Sequence, residues 1–286
     1  MSESQDDPQY VLDPAELAFL KTETGIQDDD ALKAHVLAIQ KKAYEVYPYP
    51  CIRLFGFVRL KINQNRAAYE HVLILGRDIP DALLLDIGCC VGNDLRKIAS
   101  EGFPVQNIVG TDLRQEFWDL GHELFRSTAA SFPATFLAGD AFDPEFLSVP
   151  PLSREGMQRA ISSNLGTVKS LNDLHGRFSA IHCASLFPHF SEEEQFELAH
   201  KLAGLLSPRA GSMIFGSHGA QLTKGYSSAW GEKRIFYHSP ESWREMWDGV
   251  AFERGSVEVQ TELKNLGRVL NSTSDLHVMF WSVRRM

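Results

Sequence analysis

The stretch Ala82-Leu83-Leu84-Leu85-Asp86-Ile87-Gly88-Cys89-Cys90-Val91-Gly92-Asn93 constrains this chain more than any other. Three leucines in a row fit a strand buried on both faces, the habit of a parallel sheet. Gly88 and Gly92 then bracket a tight strand-to-helix turn where a ligand can approach the backbone. Asp94 to Ala99 continues as a helix. Open α/β sheets bind ligands at the carboxyl ends of such strands. The same pattern also serves as an ordinary βα turn with no ligand, so the other segments have to discriminate.

They repeat the pattern. Gln106 to Asp112 reads as a second strand whose last residue is an acid, 26 positions beyond Asp86. A carboxylate there can accept both ribose hydroxyls of an adenosyl ligand, or it can be an exposed acid at a strand end. Ala134 to Phe142 reads as a third strand. Asp140 and Ala141 suit an adenine, with an acceptor for the exocyclic amine and apolar neighbours for the ring, or Asp140 caps a turn. Phe178 to Ala184 is the fourth strand, followed by Ser185-Leu186-Phe187-Pro188-His189-Phe190 at its carboxyl end, where chemistry is expected. A capping box at Ser191 and Glu194 opens the next helix, and Ser212 to Gly216 is the fifth strand. Trp230, Phe236, Tyr237 and His238 are expected in a loop before a helix capped by Ser239. Strands near Ser256–Leu263 and His277–Val283 complete seven, the last antiparallel at one edge. Residues 143–177 are the least regular, an insertion with a short helix expected near Arg154–Ser163.

Before this sheet lies an arm of about 80 residues. Asp13-Pro14-Ala15-Glu16 is a capping box with a first-turn proline, so a helix should run to Gly25. Leu32, Val36, Ile39, Ala43 and Val46 form a helical stripe that Pro48 and Pro50 end. Tyr44, Tyr47, Tyr49, Cys51, Phe55 and Phe57 follow as an aromatic segment. It either packs the arm onto the sheet or lines an apolar substrate pocket as a lid, and both can hold. A further helix should end at Gly76.

Composition narrows the class. The net charge of −9 disfavours a nucleic-acid or anionic-membrane surface. No apolar run approaches the ~20 residues of a membrane span. Met1 to Asp7 is polar and acidic, unlike a signal peptide. Cys51, Cys89, Cys90 and Cys183 show no metal-binding spacing, so no metal is expected, and a reduced cytoplasmic enzyme is. Cys89 and Cys90 are either small packing residues or redox-active.

The order of parts from residue 81 to 286 resembles the class I S-adenosylmethionine-dependent methyltransferases. Leu84 to Gly92 resembles their first motif, with Cys90 where a third glycine is usual. The resemblance implies a Rossmann-like α/β fold: a seven-stranded, mostly parallel sheet with helices on both faces, and here an N-terminal helical arm. It implies S-adenosyl-L-methionine as cofactor. Asp86, Gly88 and Cys89 would shape the methionine end, Asp112 with Leu113 the ribose, Asp140 with Ala141 the adenine, and Ser185 the reacting end. Tyr49-Pro50-Cys51-Ile52-Arg53, Cys89-Cys90 and His238-Ser239-Pro240-Glu241-Ser242-Trp243 are similar to fungal methyltransferases of terpenoid and meroterpenoid biosynthesis. That similarity implies a homodimer that methylates an oxygen, often a carboxylate, on a small secondary metabolite. Tyr49, Phe55, Phe187 and Trp230 are the expected pocket residues.

His189 is the side chain after strand four able to act as a base near neutral pH. It acts on a hydroxyl, orients a carboxylate, or packs and caps the next helix. A dehydrogenase using NAD fits poorly, because positions 90 and 93 are not glycine. A cofactor-binding partner subunit without catalysis is the non-enzyme alternative.

Overall fold

The computed structural model describes residues 10–149, 165–230, 233–268 and 275–286. The helix expected near Arg154–Ser163 lies outside these.

The arm folds as its caps dictate. In α1 (Pro14–Thr24) the Asp13 carboxylate accepts the Ala15 and Glu16 N–H groups, Glu16 reaches back to the Asp13 N–H, and Gly25 ends the helix at φ 72°. α2 (Asp29–Val46) buries Leu32, Val36, Ile39 and Ala43. A single turn, α3 (Pro50–Arg53), carries Cys51 and Ile52. α4 (Arg66–Asp78) runs two residues beyond the expected stop at Gly76. Gly76 does not terminate the helix; it admits the Phe103 ring, whose Cδ2 lies 2.4 Å from where a Cβ would sit.

β1 (Leu83–Ile87) pairs in parallel with β2 (Ile108–Asp112) and β4 (Phe178–His182). β3 (Thr135–Ala138) joins β2, and β5 (Met213–Ala220) joins β4, both in parallel. β9 (Asp275–Arg285) runs antiparallel between β5 and β8 (Val257–Arg268), so the order is β3-β2-β1-β4-β5-β9-β8. The final strand is therefore inserted, and β8 forms the edge. Leu83 and Leu85 face one core with α7 (Glu192–Leu205) and α8 (Pro240–Trp247), whereas Leu84 faces the other with α4 and α5 (Asn93–Ser100). This two-sided burial explains the unbroken leucine run.

The expected loop through Trp230 and Tyr237 is instead a hairpin, β6 (Gly225–Trp230) with β7 (Lys233–Tyr237), separate from the main sheet. Strand three is also shorter than expected, so Asp140 falls two residues past its end.

The arm and the sheet domain share one apolar cluster. Phe19, Leu32, Val36, Ile39, Ile52 and Phe57 pack against Phe117, Leu120 and Leu124 of α6 (Gln115–Leu124) and against Val91 of the glycine turn.

Candidate active site

After β1 the chain turns through Gly88, Cys90 and Gly92, all left-handed at φ 76°, 51° and 69°. The Gly88 and Cys89 N–H groups both donate to the Thr111 carbonyl of β2, at 2.8 and 3.1 Å. At Gly92 an added Cβ would stand 2.7 Å from Trp118 Cζ3, so neither the dihedral nor the space admits a side chain. Cys90 bears a dihedral cost of roughly 1–2 kcal/mol that a glycine would avoid. Its N–H is held by the Asp112 Oδ2 at 2.9 Å, which offsets that strain. Strain retained at a turn that must approach a ligand is common at functional sites.

Asp112, at the end of β2, also accepts the Arg114 N–H through Oδ1 at 3.3 Å. Burial pushes its carboxyl up, and the Cys90 and Arg114 hydrogen bonds pull it back. A carboxylate has about four acceptor sites, so two remain for a vicinal diol. The Gly139 N–H donates to the Asp112 carbonyl at 3.0 Å, which brings the segment after β3 beside this acid. There the Asp140 Oδ1 accepts the Phe142 N–H at 2.8 Å and shapes its own turn. The Ala141 carbonyl accepts Lys201 Nζ at 2.8 Å. Leu113 is exposed beside Asp112, where a planar apolar ring can cover it.

Beneath the turn is a buried polar network. Asp86 Oδ1 meets His182 Nδ1 at 2.9 Å, the two residues being register partners on β1 and β4. Asp94, at the start of α5, accepts the Lys61 and Ile62 N–H groups at 2.8 and 3.1 Å. Ligand atoms of Asp86, Asp94 and His182 lie within 4.8 Å of one another. Burial alone would push His182 down, but the charge and hydrogen bond of Asp86, with the charge of Asp94, hold it above its ordinary value. Burial pushes Asp94 up. Asp86 already accepts from His182 and Asp94 from two backbone groups, so the trio forms an internal ion network. His182 Nε2 is buried without a partner among the described residues.

The carboxyl end of β4 leads to Ser185, left-handed at φ 56°, whose N–H donates to the Ser217 carbonyl of β5 at 2.7 Å. Lys61 Nζ donates to Ser185 Oγ at 3.2 Å. His189 is exposed on the following turn, with its ring edge-on to Tyr49 of the arm at 5.6 Å. Burial pushes the Tyr49 hydroxyl up, and Arg114 beside it pulls it back, so Tyr49 of the arm lies between Arg114 and the loop after β4. Two further histidines, His218 and His238, are neutral. Burial pushes His218 down to about 3 and His238 down to about 4. The Trp281 indole N–H donates to His218 Nδ1 at 3.1 Å, which leaves the proton of that imidazole on Nε2.

Against this geometry, a family described as the meroterpenoid methyltransferase N-terminal domain matches residues 5–58. The O-methyltransferase phiE of a fungal species is 32% identical over 77% of this chain and 66% of its own length. The O-methyltransferase atr3 of Stereocaulon alpinum is 34% identical over 72% of this chain and 52% of its own. The methyltransferase ausD of Penicillium brasilianum is 30% identical over 90% of this chain and 84% of its own. The chain belongs to this family of fungal methyltransferases. It spans about two thirds of phiE and half of atr3.

Within this member of the family, the residues expected from sequence divide into two groups. Asp86, Gly88, Cys89, Asp112, Leu113, Asp140, Ala141 and Ser185 come together along the carboxyl edge of β1 to β4. Tyr49 and His189 meet above that edge. Phe55 and Phe187 are fully buried, Phe55 against Tyr10 and Phe57 in the arm and Phe187 against Trp243 and His218. Both are packed core residues, with no face open to a substrate. Trp230 ends β6. Cys89 is buried, and burial pushes both the Cys89 and Cys90 thiols well up, so both stay neutral packing groups.

Three site residues gave no signal in the sequence reading. His182 closes a strand, Lys61 lies between elements, and Arg96 looks like a surface residue of α5. Arg96 is buried instead, its guanidinium 4.5 Å from the Phe125 ring centre and 4.3 Å from that of Phe132. Its Nη1 donates to the Val91 and Gly92 carbonyls at 3.2 and 3.3 Å and so braces the glycine turn. Burial pushes it down to about 10, which still leaves it charged at neutral pH. The apolar character of its neighbours Leu95 and Ile98 was the available clue.

Proposed function

We propose that this chain transfers a methyl group from S-adenosylmethionine to an oxygen of a small terpenoid or meroterpenoid, forming a methyl ester on a carboxylate. The observation that carries the reading is Asp112: a buried strand-end carboxylate tied to the glycine turn through the Cys90 N–H, with acceptor capacity left for two hydroxyls. The cofactor fits the residues present. Asp112 would hold the ribose, Asp140 and Ala141 the adenine with Leu113 on the ring, and Asp86, Gly88 and Cys89 the methionine end.

The cofactor supplies a methyl already activated by a cationic sulfur. The protein must align the incoming oxygen with it and exclude water, and much of the rate comes from that orientation. A carboxylate, with a free pKa near ~4, needs no base. The neutral His218 and His238, and the pairing of His182 with Asp86, support such an acceptor, because none of the three is poised to take a hydroxyl proton. His189 at the rim, edge-on to Tyr49, orients the acceptor.

Purified chain with methyl-labelled cofactor and a fungal extract should yield label that mild alkali releases as methanol, the signature of a methyl ester. Alkali-stable label would point to an ether, and no transfer would reject the activity. Asp112→Ala should weaken cofactor binding by about 1–3 kcal/mol, the cost of leaving ribose hydroxyls unpaired. Unchanged calorimetric affinity would reject the ribose assignment. His189→Ala should slow turnover less than the ~10²–10⁴-fold expected for loss of a general base, with the pH–rate profile retained. A larger loss together with a vanished acidic limb would mean base catalysis on a hydroxyl.

The functional unit in this reading is a twofold homodimer, the commonest soluble oligomer. Exposed Tyr44 and Tyr47 on the arm favour it, whereas Trp243 and Trp247 are buried within the chain and take no part. Light scattering at micromolar concentration should exceed the 32.1 kDa of one chain, and that monomer mass would contradict it. Four unpaired cysteines favour a reducing compartment such as the cytoplasm. Among the described residues no helix is long and apolar enough to cross a membrane.

A further inference from the structure

Lys61 is a half-buried cation facing a hydroxyl. Its ammonium donates to Ser185 Oγ at 3.2 Å. Other lysines near acids are paired: Lys21 with Asp29, Lys97 with Glu101, Lys201 with Glu197 and Lys224 with Glu192. Among the described residues no carboxylate lies within ion-pair distance of the Lys61 ammonium. A charge drawn partly out of water is costly unless an opposite charge meets it. The backbone around Lys61 is fixed. Its own N–H and that of Ile62 both bond to Asp94, and Asn93 Nδ2 donates to the Arg59 carbonyl at 2.5 Å. Three contacts thus hold this loop of the arm against the start of α5 and aim the side chain across the cleft to the end of β4.

We propose that Lys61 is the carboxylate receptor of this site, supplied by the arm to complete a cleft whose own charged groups around the glycine turn are chiefly acids. The inference rests on the methyl-transfer reading. A carboxylate can come from two sources. One is the methionine end of the cofactor, a zwitterion whose ammonium would lie toward Asp86 and Asp94 while its carboxylate meets Lys61. The other is the acceptor, which must reach the edge occupied by Ser185. In either case the oxygen replaces or joins the Ser185 hydroxyl as the acceptor of the Lys61 N–H groups, a charge-assisted bond stronger than the present one.

The test compares wild type, Lys61→Met and Lys61→Arg by calorimetry with two probes. One is S-adenosylhomocysteine. The other is 5′-methylthioadenosine, which keeps the nucleoside and lacks the amino-acid end. If Lys61 holds the methionine carboxylate, Lys61→Met should bind S-adenosylhomocysteine about 10- to 100-fold more weakly and 5′-methylthioadenosine as wild type does, and Lys61→Arg should recover most of the loss. If it holds the acceptor, both probes should bind normally. Alkali-labile labelling of the fungal extract at saturating cofactor should then fall in Lys61→Met and recover in Lys61→Arg. Normal binding of both probes with normal labelling in Lys61→Met overturns the proposal. Equal weakening of both probes also overturns it, since that would be a general disturbance of the turn. Failure of wild type to bind S-adenosylhomocysteine would instead reject the methyl-transfer reading beneath it. Retained far-UV circular dichroism and melting temperature check that each variant folds, which the backbone anchoring of Lys61 favours.

Discussion

Asp86→Ala should cost about 3–5 kcal/mol of folding stability, the usual consequence of removing one partner of a buried pair. His182 would keep its place on β4 between apolar neighbours, with Nδ1 deprived of the Asp86 oxygen at 2.9 Å and Nε2 already without a partner among the described residues. A pH dependence follows. Asp86 and Asp94 hold His182 above its ordinary value, so the folded chain binds that proton more tightly than the unfolded chain does. The stability this confers is complete below the free histidine value near ~6.5. It is lost as pH rises through the raised value. In urea titrations the wild-type midpoint should fall across that window, and Asp86→Ala should start lower and fall less. An unchanged midpoint in Asp86→Ala would contradict the ion network.

Gly121→Ala should disturb both stability and the glycine turn. Gly121 lies on α6 where an added Cβ would come 2.2 Å from the Val91 carbonyl oxygen and 2.9 Å from its carbon. These are backbone atoms, so no rotamer relieves the clash, and α6 must withdraw. Overpacking of this kind costs about 1–3 kcal/mol. Val91 sits between Cys90 and Gly92, so the displacement also moves the N–H that holds Asp112. Thermal melting should fall by several degrees, and calorimetric binding of S-adenosylhomocysteine should weaken along with it. Normal binding in a destabilised variant would separate helix packing from the site.

Those contacts show which features a sequence carries. The leucine run, the glycine turn and the capping boxes at Asp13 and Ser191 depend on local chemistry, and each appears where the pattern put it. Helices with one apolar stripe were legible for the same reason. The β6–β7 hairpin was not. Gly225, Tyr226, Ser227 and Ser228 lack an apolar alternation, and the strand exists through its pairing with Ile235, Phe236 and Tyr237. The edge strand β8 extends to Arg268 because β9 pairs with it, through residues such as Glu262 and Lys264 that carry no apolar signal.

The candidate site divides along the same line. The placing of Asp86, Asp112 and Asp140 along one edge was legible because each lies at or just past the end of a strand. The contacts that tune them join residues far apart in sequence, such as Asp86 with His182 and Lys61 with Ser185. No periodicity records those pairs. Arg96 was hidden by its charge, since aromatic rings from α6 and the loops beyond it enclose its guanidinium.

The cleft along β1, β2 and β3 should bind S-adenosylmethionine. Calorimetric titration of the wild-type chain with S-adenosylhomocysteine tests it most directly, with NAD as the competing ligand. One saturable site per chain is expected for S-adenosylhomocysteine, weakened in Asp112→Ala, with no heat of binding for NAD. Binding of NAD in its place, or no binding of S-adenosylhomocysteine by a folded chain, would contradict it.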